Sequence, residues 1–472
     1  MINTISSTAY APASSAKGKD IDLAWQRANG CGVVPAPALE QYLDGILGKL
    51  QNGSPIHNAP AQVHVLASHD WGATTTADAN IYVNLGLLDQ LESEDEVAAV
   101  LAHELVHALR NHNDSDVVED LQRRAFLLSR IAFEVKDRVD NGGAEKKGSS
   151  KPDSLLKNEW YGLQANMRIL SPAWNRTQEQ EADLLGVDLL AAAGYCTCAM
   201  RTVLQKQQEW EKQAAAQPQT TGTDPQLDAL VNSLVGNSKN AEAATPNTAP
   251  DLKDVGKSIL KNIIKSTTTS MASTHPDTAE RLRVVAEYSS QYYREAEQRT
   301  PAADALKKMR GTKEIKTIFT NYSRAFEAMD KLRDGNAQEA EKLASLGTAG
   351  STAKHSCPAY VLASVRTAQG KQAEAMKLLE STFGSAEPAL LTYKEAAKIQ
   401  MQGGKTKEAL ALLERANREF KEPPAFFPDL IRAYHKVGRN DDASSAVLRC
   451  ATKYPRYEDA CRQANEDKRS AN

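Results

Sequence analysis

The stretch EDEVAAVLAHELVHALRNH, residues 94–112, reads as one helix that carries the pattern H-E-x-x-H as His103, Glu104 and His107. Ser93 and Glu96 make the S-x-x-E spacing of a capping box, and Glu92, Glu94 and Asp95 complement the positive end of a helix dipole. From Val97 to Leu109 every residue except His103, Glu104 and His107 is apolar, which predicts a buried helix with three polar groups at its centre. Residues four apart share a helix face, so both imidazoles can meet one metal ion with Glu104 beside them. Buried polar groups need partners, and a zinc ion with its water would satisfy all three together. Two histidines and one further protein ligand leave the fourth zinc position to water, whose proton Glu104 can accept as it attacks a carbonyl.

The third ligand is sought in WNRTQEQEADLLGVDLLAAAGY, residues 174–195. Thr177 and Gln180 form a second capping box and Gly194 marks the stop. Glu179, Asp183, Val187 and Leu190 fall on one helical stripe, so both carboxylates face inward with the apolar residues. Glu181 lies on a different face, towards Leu185 and Asp188. Glu179 is therefore the candidate third ligand, and Asp183, one turn later, can orient a ligating histidine through its other ring nitrogen.

Around these two helices the pattern is mainly helical with a small sheet. Residues 21–50 show apolar positions at helical spacing around a Val-Pro-Ala-Pro break. Residues 63–66 and 81–83 read as short strands separated by a Gly/Thr/Asp loop. An edge strand there can pair with an extended substrate backbone. His64 and His69 have no partner at metal spacing and read as structural or exposed. Helices are expected over 117–138 and 155–170, with a hydrophilic break at 141–154 between them. A Gln/Ala/Thr/Pro-rich stretch, 213–251, reads as a mobile loop that leads into the short amphipathic helix GKSILKNIIKS.

The last third has a different logic. Gly370, Gly404 and Gly438 are spaced 34 residues apart, and so are Ala375, Ala409 and Ala443. That period, with small residues where paired helices pack closely, is the tetratricopeptide signature. Tyr360, Tyr393 and Tyr434 occupy similar first-helix positions, and Ala325, Gly335 and Ala340 mark a degenerate earlier unit, giving about four repeats from about 318 onwards. Such arrays curve into a concave surface for peptides or partner proteins. The expected division is a flexible tail over 1–20, a metallopeptidase domain over 21–300 and a repeat domain over 318–465.

At 472 residues the chain is too long for one ordinary core. A net charge of −3, without a basic patch interleaved with aromatics, gives nucleic acid no footing. No apolar run approaches the roughly 18 residues that span a bilayer. Residues 1–20 lack a basic and an apolar region and so hold no complete signal peptide, while Ala9-Tyr10-Ala11 fits both a small-x-small cleavage pattern and an ordinary Ala-rich tail. Of the six cysteines, Cys450 and Cys461 could meet across a helix turn, whereas Cys196-Thr197-Cys198 is too tight for an easy bridge. Buried thiols are the expectation for most of them.

His103-Glu104-Leu105-Val106-His107, with Glu179-x-x-x-Asp183 inside EQEADLLG, resembles the gluzincin zinc metallopeptidases of the HtpX/BepA-like family. A third family motif, H-P-x-x-x-x-R, is present as His275-Pro276 and Arg281, and the resemblance extends over roughly 30–290. It implies an α+β zincin-like domain with one zinc per chain held by His103, His107 and Glu179, and Glu104 as general base. It also implies a site role for His275 and Arg281: stabilising the oxyanion, or, as in BepA-like members, His275 closing the site as a fourth ligand. One departure is that the family's Asn-Ala-Phe strand is replaced by SHDWGATTTAD over 68–78. The domain followed by an α-solenoid is similar to the BepA-like arrangement, which implies an endopeptidase of cell-envelope protein quality control, periplasmic rather than cytoplasmic. Protein clients and partners would dock on the repeats. The competing reading is a tetratricopeptide chaperone or scaffold with an inert or structural metal site. Retention of Glu104 speaks against it, since a structural site needs no base.

Overall fold

The computed structural model describes residues 16–112 apart from 56 and 58, 176–216 and 278–466. His275, the 213–251 loop beyond Ala216, and the helices expected over 117–138, 155–170 and 256–266 lie outside the described residues.

Helix α1 (Ala16–Arg27) starts inside the expected tail, so residues 16–20 are ordered as its first turn. Pro37 opens α2 (Pro37–Asn52), which buries Leu39, Leu43, Ile46, Leu47 and Leu50 along one stripe. A three-stranded sheet comes next: β1 (Gln62–Leu66), β2 (Ala73–Thr75) and β3 (Asn80–Asn84), in the order β1-β3-β2. β1 and β3 pair in parallel from Gln62 opposite Asn80 to Leu66 opposite Asn84. β2 pairs antiparallel to β3, Ala73 opposite Val83 and Thr75 opposite Ile81. The segment expected as a loop between two strands therefore contains a third, at the sheet's edge. Three residues are too few to show a period in sequence, and the pairing with β3 makes the strand.

After α3 (Leu85–Gln90) comes α4 (Glu94–Leu109), capped by Ser93, whose hydroxyl accepts from the Glu96 amide at 3.2 Å. The acidic first turn does more than complement the dipole. Glu94 is buried and accepts from Tyr42, Lys49 and Tyr195, and Asp95 accepts from the Cys196 and Ala302 amides. These bonds tie the N-terminus of α4 to α2 and to two loops, fixing where the motif begins.

Helices α5 (Arg176–Ala192) and α6 (Cys198–Ala216) pack on α4, and α7 (Thr278–Tyr292), α8 (Arg294–Glu297) and α9 (Ala303–Gly311) come after them. α5 already includes Arg176, so Thr177 lies in its first turn and not at its N-cap. Cys196 and Cys198 form a disulfide, against the expectation from their spacing. The chain turns between α5 and α6 and brings their Cα atoms to 5.2 Å, inside the range that a bridge tolerates. Cys450 and Cys461 form the other disulfide, and Cys31 and Cys357 are buried thiols.

From residue 313 the chain forms antiparallel helix pairs: α10 (Lys313–Arg333) with α11 (Ala337–Gly347), α12 (Ser356–Ala368) with α13 (Gln372–Glu380), α14 (Leu390–Gln402) with α15 (Thr406–Glu419), and α16 (Phe427–Lys436) with α17 (Asn440–Lys453). α18 (Glu458–Glu466) packs on the last pair. Gly335, Gly370, Gly404 and Gly438 each stand after the first helix of a pair with φ between +76° and +83°, the left-handed stop that a side chain disfavours. Ala340, Ala375, Ala409 and Ala443 are fully buried in the second helices.

The expected boundary at 318 falls within α10. Ile315, Ile318, Tyr322 and Phe326 belong to the same apolar cluster as α2, the sheet and α4, so the first helix of the first pair is built into the N-terminal core. α1 reaches the later pairs as well: Arg27 is paired with Glu387, and the Trp25 indole donates to the Lys421 carbonyl at 3.3 Å.

Candidate active site

The site forms where α5 crosses α4. Gly186 faces α4 and the tip of Met200 on α6: a Cβ there would sit 3.5 Å from the His103 amide nitrogen, ordinary contact, and 2.6 Å from Met200 Cε, which would have to shift. His103 and His107, one turn apart on α4, bring their Nε2 atoms to 3.0 Å. Glu179 on α5 faces both, Oε2 at 3.8 Å from His103 Nε2 and Oε1 at 3.7 Å from His107 Nε2. Among the described residues these three form the one cluster able to hold a metal ion, their donor atoms within 4.8 Å of one another. Tetrahedral zinc with ligands at about 2.0–2.1 Å sets donors roughly 3.3 Å apart, so the set fits the ion with small side-chain adjustments. Among the described residues, buried Glu179 Oε1 has no hydrogen-bond partner, as suits a ligand atom.

The histidines are backed from behind. Asp183 lies 3.0 Å from His103 Nδ1, which leaves Nε2 to ligate. Arg281 on α7 is almost fully buried and donates to both Asp183 oxygens at 2.7 and 2.8 Å, while its remaining nitrogen reaches Glu179 Oε2 at 2.9 Å. Burial works against the Asp183 charge, but Arg281 and His103 outweigh it and hold the carboxyl at about 2. Burial also opposes the charged form of His103, yet its bond to Asp183 and the nearby carboxylates raise its pKa overall.

Glu104 is buried beside the cluster, and the Thr75 hydroxyl on β2 lies 2.8 Å from its Oε2 and 2.9 Å from its carbonyl oxygen. Among the protein groups alone, burial pushes Glu104 up to about 7, with His103 and the Thr75 hydrogen bond acting the other way. Zinc held by the neighbouring histidines would add positive charge beside this carboxyl and favour its ionised, proton-accepting form. At the end of α4, His112 Nδ1 sits 2.9 Å from His107 Nδ1, and its Nε2 is 3.1 Å from Glu181 Oε2.

The structure thus brings together His103, Glu104, His107, Glu179, Asp183 and Arg281, leaves Glu181 outside the donor cluster, and does not describe His275. Thr75 and His112 escape a reading by motif. Thr75 sits in a strand too short to recognise, and His112, five residues beyond His107, would lie off the ligand face if the helix continued.

Residues 37–289 match the sequence profile of peptidase family M48. Over 172 residues the chain is 24% identical to the putative beta-barrel assembly-enhancing protease of Vibrio cholerae, covering 36% of this chain and 33% of that protein. With the beta-barrel assembly-enhancing protease of Escherichia coli K12 it shares 24% identity over 189 residues, 40% and 37% of the two chains. With the mitochondrial metalloendopeptidase OMA1 of Schizosaccharomyces pombe it shares 25% over 180 residues, 38% and 45%. The matches thus span between a third and just under half of these relatives' lengths.

Proposed function

The chain belongs to peptidase family M48, whose members are zinc metallopeptidases, and from that footing we propose that it is a zinc-dependent endopeptidase with His103, His107 and Glu179 as ligands and Glu104 as general base. The observation that carries the reading is the convergence of these three donors beside a buried carboxylate inside the matched segment.

Bound there, zinc would polarise the scissile carbonyl and make water nucleophilic near neutral pH. Glu104 takes the proton from the attacking water and passes it to the leaving amine. Thr75 occupies one Glu104 oxygen, so proton transfer falls to the other. Asp183 fixes the His103 ring, and Arg281 acts through Asp183 and Glu179, holding their charges in place, in preference to meeting a substrate oxyanion directly. The outer edge of β2 suits an extended substrate, whose backbone would run past Glu104 by strand addition. His275 stands as a candidate fourth ligand or oxyanion donor.

The helix pairs after residue 313 form a tetratricopeptide array that docks clients or partner proteins, a reading supported by the recurring left-handed glycines and buried alanines. Cell-envelope quality control, in a periplasmic setting, is supported by two disulfides, which persist in oxidising compartments. The names of two relatives point to β-barrel proteins under assembly as the client class. No helix among the described residues is long and apolar enough to cross a membrane.

The test is metal analysis with casein digestion on the wild type and Glu104→Gln. About one zinc per chain is expected in both, with digestion lost only in the variant, which keeps the ligands and removes the base. Continued cleavage by Glu104→Gln would overturn the mechanism. Loss of zinc from Glu181→Ala but not from Glu179→Ala would overturn the ligand set.

A further inference from the structure

α4 stops with Leu109, and the three residues after it are shaped around His107. Arg110 closes the helix with its amide on Val106, and Asn111 adopts φ +51°, a left-handed conformation that asparagine tolerates better than most side chains. That reversal folds His112 back. Its amide donates to the His107 carbonyl at 3.0 Å, and its ring Nδ1 lies 2.9 Å from His107 Nδ1. The other ring nitrogen faces Glu181, which Arg110 holds from the other side at 2.9 Å. His112 itself is buried.

The protons in this chain of contacts are set by valence. A histidine that gives Nε2 to a metal carries its proton on Nδ1, so His107 must donate there. Its neighbour can only be the acceptor, which puts the His112 proton on Nε2, where a carboxylate receives it. Each member thereby fixes the tautomer of the next, from Glu181 through His112 to His107.

We propose that His112 is a positioning residue of the zinc site, holding His107 with Nε2 turned towards Glu179 and His103, and that Glu181 is the anchor that orients His112. The proposal rests on His103, His107 and Glu179 being the ligands. It assigns Glu181 a place in the site without making it a ligand. It also gives His107 a counterpart to the Asp183 that backs His103. The two ligating rings are then braced by different chemistry, one by a carboxylate directly and one by a neutral imidazole in series with a carboxylate.

The experiment is zinc affinity of the full chain, by competition with a chromophoric chelator, for the wild type, His112→Ala, His112→Leu, His112→Asn and Glu181→Leu. Loss of an outer partner of a ligating histidine weakens metal binding by about 10–100-fold. His112→Ala and His112→Leu should both fall in that range. His112→Asn should recover much of the loss, because its side-chain oxygen can accept from His107 Nδ1 where the imidazole nitrogen stood. Glu181→Leu should weaken zinc less than His112→Ala, with the apo protein melting near the wild type. Wild-type affinity in His112→Leu would show that the ring merely fills space and would overturn the proposal. Equal affinities for Asn and Leu would do the same. A wild type that binds no zinc would defeat the ligand set itself, an outcome separate from tight wild-type binding left unmoved by the His112 variants.

Discussion

At the scale of single residues, the site shows how much a buried carboxylate depends on what touches it. Thr75 is fully buried and isosteric with valine, so Thr75→Val removes the hydroxyl that meets both Glu104 Oε2 and the Glu104 carbonyl, with little change of volume. A hydrogen bond to a charged group contributes about 1.5–3 kcal/mol, so kcat should drop by about tenfold or more while KM and zinc content hold, and Thr75→Ser should restore most of it. Steady-state kinetics on a short quenched peptide would decide it, and an unchanged kcat in the valine variant would remove Thr75 from the mechanism. A second buried polar pair, His355 Nδ1 and the Tyr322 hydroxyl at 3.2 Å, lies where α12 begins. Burial pushes His355 down to about 4 from an ordinary 6.5. The unfolded chain then binds the extra proton more readily, so this contribution to stability is complete above about pH 6.5 and is lost as pH falls towards 4. At pH 5 the loss amounts to up to about 2 kcal/mol. The wild type should therefore lose more melting temperature between pH 7 and pH 5 than His355→Gln does, and parallel losses would refute the assignment.

At the scale of elements, α4 and α5 were legible because their signals agree: an apolar face, a capping serine at Ser93 and a terminating Gly194. β2 was not, since a three-residue strand exists only through its partner. The helix pairs fall between these cases. Their period is written in small residues whose reason is geometric, and the glycine φ values make that reason explicit. Gly404→Ala should destabilise the array by about 1 kcal/mol by forcing a Cβ into the left-handed region. Ala409→Leu should cost more, about 1–3 kcal/mol, because Ala409 has no exposed surface and the second helix has no room for three further carbons. Urea denaturation monitored by circular dichroism would rank the two, and the reverse order would contradict the packing described.

At the scale of the whole molecule, the peptidase core and the helical pairs are less separable than the 34-residue period suggests. A truncation at 318 cuts α10 in its first turns and removes Ile318, Tyr322 and Phe326 from the central cluster. Deleting buried side chains of this size costs about 2–5 kcal/mol each, comparable with the stability of a domain. The chain ending at 317 should therefore fail to give a cooperative melt, while one that retains residues to 355 keeps the whole of α10 and α11 and should melt cooperatively with its zinc. A folded, zinc-loaded 1–317 fragment would show instead that the core closes without α10. α1 adds a second tie, with Arg27 and Trp25 meeting the later pairs while Asp22 accepts from Thr76, Asn80 and Tyr82 of the sheet region.

By itself the sequence determined what is local or periodic. The i, i+4 histidines, the glutamate between them and the inward stripe bearing Glu179 and Asp183 are set by helix geometry, which a sequence writes directly. So are the 34-residue steps of the helical pairs. What it left to the tertiary structure depends on segments far apart in the chain meeting. Glu94 and Asp95 read as dipole partners and are also crosslinks to α2 and to loops about a hundred and two hundred residues away. Arg281 reads as a motif residue and gains its role only by reaching two carboxylates on α5. Cys196 and Cys198 read as too close to bridge until the turn between α5 and α6 sets their separation. Thr75 and His112 carry no periodic signal, Thr75 because its strand is only three residues long and His112 because it lies just beyond the end of α4, and in both places the backbone path is fixed by packing and not by its own residues.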